Sequence, residues 1–214
     1  MTFVTAFYGI YMKKNTIIFI ALNLIILSGC ASKTSLTVAP EDWVFEDRAI
    51  HIHLESPSDL NAISGRPHSV ALGVFQLIDP NTFLGLAETK EGALQLLNSG
   101  RIDDTVAQFT RIIIQPGEEK VATLPRAQSA KYIAIISGYY GLNIELDVKV
   151  FDVPVKAAKR GFVDLALSNM GLIADEAKAI PDNIFIDVAM GRKGTKRFSL
   201  FKEEELNILS SSNF

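Results

Sequence analysis

The 214-residue sequence holds one cysteine, one tryptophan and three histidines. A single cysteine excludes an internal disulfide, so a folded domain must rest on its apolar core. Charge of one sign is also lacking: 21 Lys and Arg stand against 24 Asp and Glu, a net of −3. That balance argues against the broad basic footprint that nucleic-acid binding uses. No Gly-x-Ser-x-Gly nucleophile elbow occurs, and no glycine-rich phosphate loop leads into Lys and Ser or Thr. There is no internal repeat and no low-complexity tract. What is present is ordinary globular material, 48% apolar and 21% charged, enough for one domain and short for two.

The N-terminus carries the first positive signal. Residues 16–27 are almost wholly apolar, broken by Asn23, with Lys13 and Lys14 before them and Leu27-Ser28-Gly29-Cys30 after them. A charged region, an apolar stretch of about 12 residues and a small-residue site make an export signal. The stretch falls short of the roughly 20 residues that span a bilayer as a helix. Residues 1–11 are aromatic and uncharged, whereas a start at Met12 gives Met12-Lys13-Lys14-Asn15, the usual opening of such signals. Leu27-Ser28-Gly29-Cys30 resembles the bacterial lipobox. The resemblance implies that residues 1–29 are removed and that Cys30 carries a diacylglyceryl group and a third acyl chain. Each buried CH₂ contributes about 0.8 kcal/mol, so three chains hold where one is marginal. Ala31, where inner-membrane lipoproteins have Asp, implies sorting to the outer membrane, with the rest of the chain in the periplasm.

Residues 30–47 read as a lipidated tether, with Trp43 and Phe45 packing at its end, and residues 48–214 as the folded domain. Residues 49–54 alternate apolar and polar, as a half-buried strand does. Residues 56–67, rich in Ser, Pro, Asp, Asn and Gly, read as a loop, and 69–78 as a second strand. Pro80 and Gly100 bracket a helix over 81–99. Phe83, Leu84, Ala87, Leu94 and Leu97 form its apolar stripe, and Gly85 and Gly92 divide it into two pieces. Residues 110–114 and 120–124 read as a hairpin about Pro116-Gly117. Residues 131–140 and 146–155 read as extended, 163–170 as strand or helix, and 173–179 as helix. Residues 184–189 and 196–200 form a closing hairpin, and a short helix follows 202. Short strands with turn signals between them predict a mainly β, two-sheet sandwich with a helix added after the second strand.

Residues that carry chemistry are sparse. His51 and His53 share one face of the first strand, and His68 on a neighbouring element could complete a metal site. A polar outer strand face is the favoured reading, since no cysteine and no spaced carboxylate joins them. Asp103-Asp104 and Glu203-Glu204-Glu205 read as solvated clusters. Arg192, Lys193, Lys196 and Arg197 make a small basic patch on the last hairpin that could meet anionic lipid or an acidic partner. Tyr139-Tyr140 reads as packing at a strand end.

The block Asn61-Ala62-Ile63-Ser64-Gly65-Arg66-Pro67, followed by Val74-Phe75-Gln76-Leu77 and Phe83, resembles the TssJ (SciN/VasD) family of type VI secretion lipoproteins. Gln115-Pro116-Gly117, the Lys131-Tyr132 strand and Gly138-Tyr139-Tyr140 fit the same family, as does the lipobox. The departure lies at residues 142–181, where relatives have a shorter connection and a Trp-Arg pair missing here. That stretch is expected as an insertion. The resemblance implies a transthyretin-like β-sandwich, no enzyme activity, no cofactor and no metal. It implies an outer-membrane anchor for a trans-envelope complex, bound to the periplasmic domain of an inner-membrane partner, TssM. The contact falls on the loop between the first two strands, here Ser58, Asp59, Leu60, Asn61, Ala62, Ile63 and Ser64. Leu60 and Ile63 among polar neighbours suit such a contact, and equally could fold back over the sandwich end. Two other functions stay open on the residues alone: a periplasmic lipoprotein binding a small ligand or another envelope protein, and a metal-dependent hydrolase using the histidines.

Overall fold

The structure is a computed structural model that describes residues 37–158, 170 and 178–203. The export signal, Cys30, the early tether, most of residues 163–177 and the tail after 203 lie outside the described residues. The described chain opens on a short 3-10 turn at Pro40–Asp42. Strands β1 (Glu46–Glu55) and β2 (Val70–Leu77) follow, then helices α1 (Asn81–Ala87) and α2 (Lys90–Ser99). Next come β3 (Val106–Ile114), β4 (Glu119–Arg126), β5 (Tyr132–Ser137), the one-turn helix α3 (Ile144–Asp147) and β6 (Val148–Asp152). The chain closes with β7 (Val155–Ala157), β8 (Ala179–Pro181), β9 (Ile184–Met190) and β10 (Thr195–Leu200).

Two four-stranded sheets form, in the orders β10-β9-β1-β4 and β3-β2-β5-β6, with β7 and β8 as a separate pair. The sandwich-like, mainly β fold expected from the sequence is therefore present, with helix directly after the second strand. Its core joins the two sheets: Ile50, Ile52, Leu54, Ile184, Ile186 and Val188 from one meet Val70, Leu72, Val74, Ile133 and Ile135 from the other. The two-residue period of β1 places those apolar residues inward and His51 and His53 outward.

Strand β2 is buried on both faces because the helices cover its outer side. Phe75 and Leu77 point into a second cluster with Phe83, Ala87, Ala93, Leu96 and Leu97. Gly73 permits this layer, since a Cβ there would lie 2.8 Å from a Leu97 methyl. The helix splits as its glycines imply. Thr89 ends the first piece and caps the second, its hydroxyl accepting from the Gly92 amide at 3.1 Å. The apolar stripe is corrected in part: Leu84 and Leu94 are exposed, and Ala93 and Leu96 take the buried positions.

The expected hairpin of β3 and β4 does not form. β3 pairs with β2, β4 pairs with β1, and residues 115–118 cross from one sheet to the other. Pro116-Gly117 punctuates a crossing as readily as a hairpin. Side-chain alternation cannot choose, because both strands need an inward apolar face in either arrangement. The closing hairpin does form, with β9 antiparallel to β10 and parallel to β1. Of the stretch read as extended, Leu146 belongs to α3 and β6 begins at Val148. β6 and β3 are the two edge strands of the second sheet. Trp43 packs into the core, whereas Phe45 is exposed.

Candidate functional site

Residues 56–69, between β1 and β2, leave the sheet through Ser56. Its hydroxyl donates to the carbonyls of Gln115 and Glu118 at 2.6 and 2.9 Å, and Gly117 N donates to Pro57 O at 3.0 Å. The β3–β4 crossing is thereby fixed beneath the loop. The loop then turns at Ser64-Gly65. Both have positive φ, 49° and 76°, and Ile63 and Arg66 exchange two backbone hydrogen bonds of 2.9 Å across them. Two successive positive φ values define a primed turn, and glycine meets that requirement at the second position.

Asn61 is the hub. Its φ is 48°, a left-handed conformation that asparagine tolerates. Its side-chain oxygen accepts from Tyr140 N at 3.2 Å, and its amide donates to Ser69 O at 3.4 Å. Ala62 N donates to Arg192 O at 3.1 Å, in the β9–β10 connection. The Tyr139 hydroxyl, buried beneath, donates to Gly191 O at 3.0 Å and accepts from Gly191 N at 3.1 Å. Burial, with Asp147 nearby, pushes its pKa up to about 12 against the opposing bond to Gly191. Four connections at one end of the sandwich are thus tied into one surface.

The residues expected to meet a partner divide sharply. Leu60 is fully buried, at 0% exposure, and belongs to the core. Asn61 is also buried and is spent on structure. Ala62 is half-buried, while Ser58, Asp59, Ile63 and Ser64 are exposed. Of the two apolar anchors, one folds back and one faces outward. Sequence reasoning did not join Tyr140 and Arg192 to this surface. Tyr140 is 68% exposed and lies edge-on to the His68 ring at 5.8 Å. Arg192 reaches Asp59 at 3.8 Å, a solvated pair that contributes little to stability. Tyr140 and Asn61 stand 79 positions apart, so no local pattern links them.

The histidines separate. His68 belongs to the loop, whereas His51 and His53 lie on the outer face of the first sheet. His51 stacks on Phe185 at 4.7 Å and 7°. His53 sits between carboxylates of both neighbouring strands, Nδ1 at 2.7 Å from Asp187 and Nε2 at 3.0 Å from Glu119. Burial alone would lower its pKa; the two carboxylates outweigh burial and hold it above 6.5. Among the described residues no group of His, Cys, Asp and Glu is arranged to hold a metal. Of the basic hairpin residues, Arg197 is engaged with Asp187 at 2.6 Å, while Lys193 and Lys196 are exposed. A shallow, open cleft beside α3 is lined mainly by Glu145, Lys149, Lys196 and Arg197.

The motif residues at the far end of β2 are structural. Gln76 bridges the two sheets, its amide donating to Pro125 O at 2.8 Å and its oxygen accepting from Ala127 N at 2.6 Å. Phe83 packs on Phe75 with ring centroids 5.1 Å apart.

The family model described as type VI secretion lipoprotein, VasD, EvfM, TssJ matches residues 48–169. Among solved structures, the chain is similar to the type VI secretion lipoprotein TssJ1 of Pseudomonas aeruginosa, with 14% identity and a TM-score of 0.48, over 74% of this chain and 97% of that one. It is similar to Serratia marcescens Lip, a membrane-bound component of the type VI secretion system, with 13% identity and a TM-score of 0.44, over 72% and 97%. A chain of a type VI membrane complex is similar at 16% identity and a TM-score of 0.46, over 72% and 97%. No curated protein matches the sequence significantly.

Proposed function

The chain belongs to the type VI secretion lipoprotein family, and from that premise we propose that it anchors a secretion complex to the outer membrane by binding the periplasmic domain of TssM. Acyl chains on Cys30 hold it to the membrane, residues 30–36 serve as the tether, since Val38 and Trp43 already pack in the core, and the partner docks on Ser58, Asp59, Ile63 and Ser64. The family match carries the reading, because residues 48–169 include this whole loop. The lipobox-like Leu27-Ser28-Gly29-Cys30 supports the anchor. The hydrogen-bonded loop supports the docking site, since a surface already fixed loses little conformational entropy on binding. The function on this reading is structural, and no catalytic step is assigned.

Two measurements test it. A Cys30→Ser chain is expected in the soluble periplasmic fraction with its fold unchanged; continued fractionation with outer membranes would contradict the anchor. The acylated wild-type chain is expected to capture the periplasmic domain of TssM from the same secretion system. Failure to capture it would remove the partner assignment.

A further inference from the structure

We propose, resting on the partner reading above, that the docking surface is composite: Tyr140 and Arg192, from two other connections, complete it, and it fits an acidic protein segment presenting an apolar side chain. Three observations carry this. Tyr140 and Arg192 are fixed to consecutive residues of the loop, since Asn61 accepts from Tyr140 N and Ala62 N donates to Arg192 O. Motion of the loop therefore carries both with it. Two apolar side chains stand exposed on these tied connections, Ile63 at 38% and Tyr140 at 68%. A tyrosine anchor with few rotatable bonds beside an aliphatic one is a common centre for a binding hot spot.

The charge is the third observation. Arg66, Arg192 and Lys193 are exposed around this patch. Asp59 answers Arg192 at 3.8 Å, while among the described residues Arg66 and Lys193 have no ion pair. Of the other carboxylates at this end, Glu118 is paired with Lys120, Glu119 with His53, and Glu55 acts on Arg197, which leaves Arg66 and Lys193 as its cations without an ion pair in a chain of net charge −3. Complementary potential steers association and selects the partner's sign. Among the described residues the side chains of Tyr140 and Arg192 hold no hydrogen bond to the loop; their backbone groups do that work, so truncation leaves the loop tied.

The test titrates the full acylated chain, in detergent micelles, with the periplasmic domain of TssM from the same system. Tyr140→Ala and Arg192→Ala are each expected to weaken binding about tenfold or more, with unchanged melting temperatures. Raising salt from about 50 to about 500 mM is expected to weaken the wild type, and Arg192→Ala less steeply. If Ile63→Asp weakens binding while Tyr140→Ala and Arg192→Ala bind as the wild type, the composite surface is overturned and the loop reading stands. If Ile63→Asp also binds normally, the loop reading fails too. Equal salt dependence in wild type and Arg192→Ala overturns the acidic character assigned to the partner.

Discussion

The Tyr139 hydroxyl both donates to the carbonyl and accepts from the amide of Gly191, 52 residues away in sequence, in a fully enclosed exchange. One phenol thereby satisfies both backbone groups of a residue in the β9–β10 connection and fastens that connection to the end of β5. Tyr139→Phe strands both groups without changing the ring. Each lost partner costs about 1–3 kcal/mol. A lowered urea midpoint is expected, with faster amide exchange at Gly191 and Arg192; unchanged exchange there would show that the hydroxyl is not the fastener.

Leu60 and Ile63 lie three residues apart and differ in exposure, 0% against 38%. Leu60→Ala is expected to cost about 2–5 kcal/mol, as truncation of a buried leucine does. Ile63→Ala is expected to change stability by less than about 0.5 kcal/mol. Calorimetric melting of the two variants checks this, and similar losses in both would place Ile63 in the core.

His53 predicts a pH dependence. Its folded-state pKa is raised above 6.5 by Asp187 and Glu119. The stability it contributes is therefore complete below about pH 6.5 and is lost as pH rises through the higher folded value. Asp187 acts oppositely at the acid end. Burial would raise its pKa, but His53 and Arg197 hold it below 3.8, so its contribution is lost as pH falls through that lower value. In His53→Gln, stability between about pH 6 and 9 is expected to vary less than in the wild type. Denaturant titrations across that range read the difference, and parallel curves would mean His53 does not titrate there.

Gln76 is buried and spans the sheets by its bonds to Pro125 and Ala127. Gln76→Leu leaves a carbonyl and an amide without partners, at about 1–3 kcal/mol for each. The melting temperature is expected to fall, although leucine is the more apolar residue. A more stable variant would show that water replaces the side chain there.

Much of the architecture was legible because its signals are local. The alternation of Ile50, Ile52 and Leu54 with two histidines marks a strand with one inward face. Gly85 and Gly92 marked a divided helix, and Gly100 its end, with φ at 70°. The loop at 56–67 was legible from its turn residues. The order of strands was not. Pro116-Gly117 reverses the chain whether the next strand pairs with β3 or crosses to the opposite sheet, and only the partner offered by β1 decides.

The sequence by itself determined the export signal's pattern, the family block around Asn61 and Gly65, and the periodicities that make two apolar strand faces meet. Tertiary structure alone decided which residues of the loop are surface and which are core. Leu60 and Ile63 are equally apolar and close in sequence, and burial depends on what lies above each. Nor could local order bring Tyr140 and Arg192 to Asn61 and Ala62. That proximity arises because β1, β5 and β9 end where β2 begins, and hydrogen bonds between their connections close the gap.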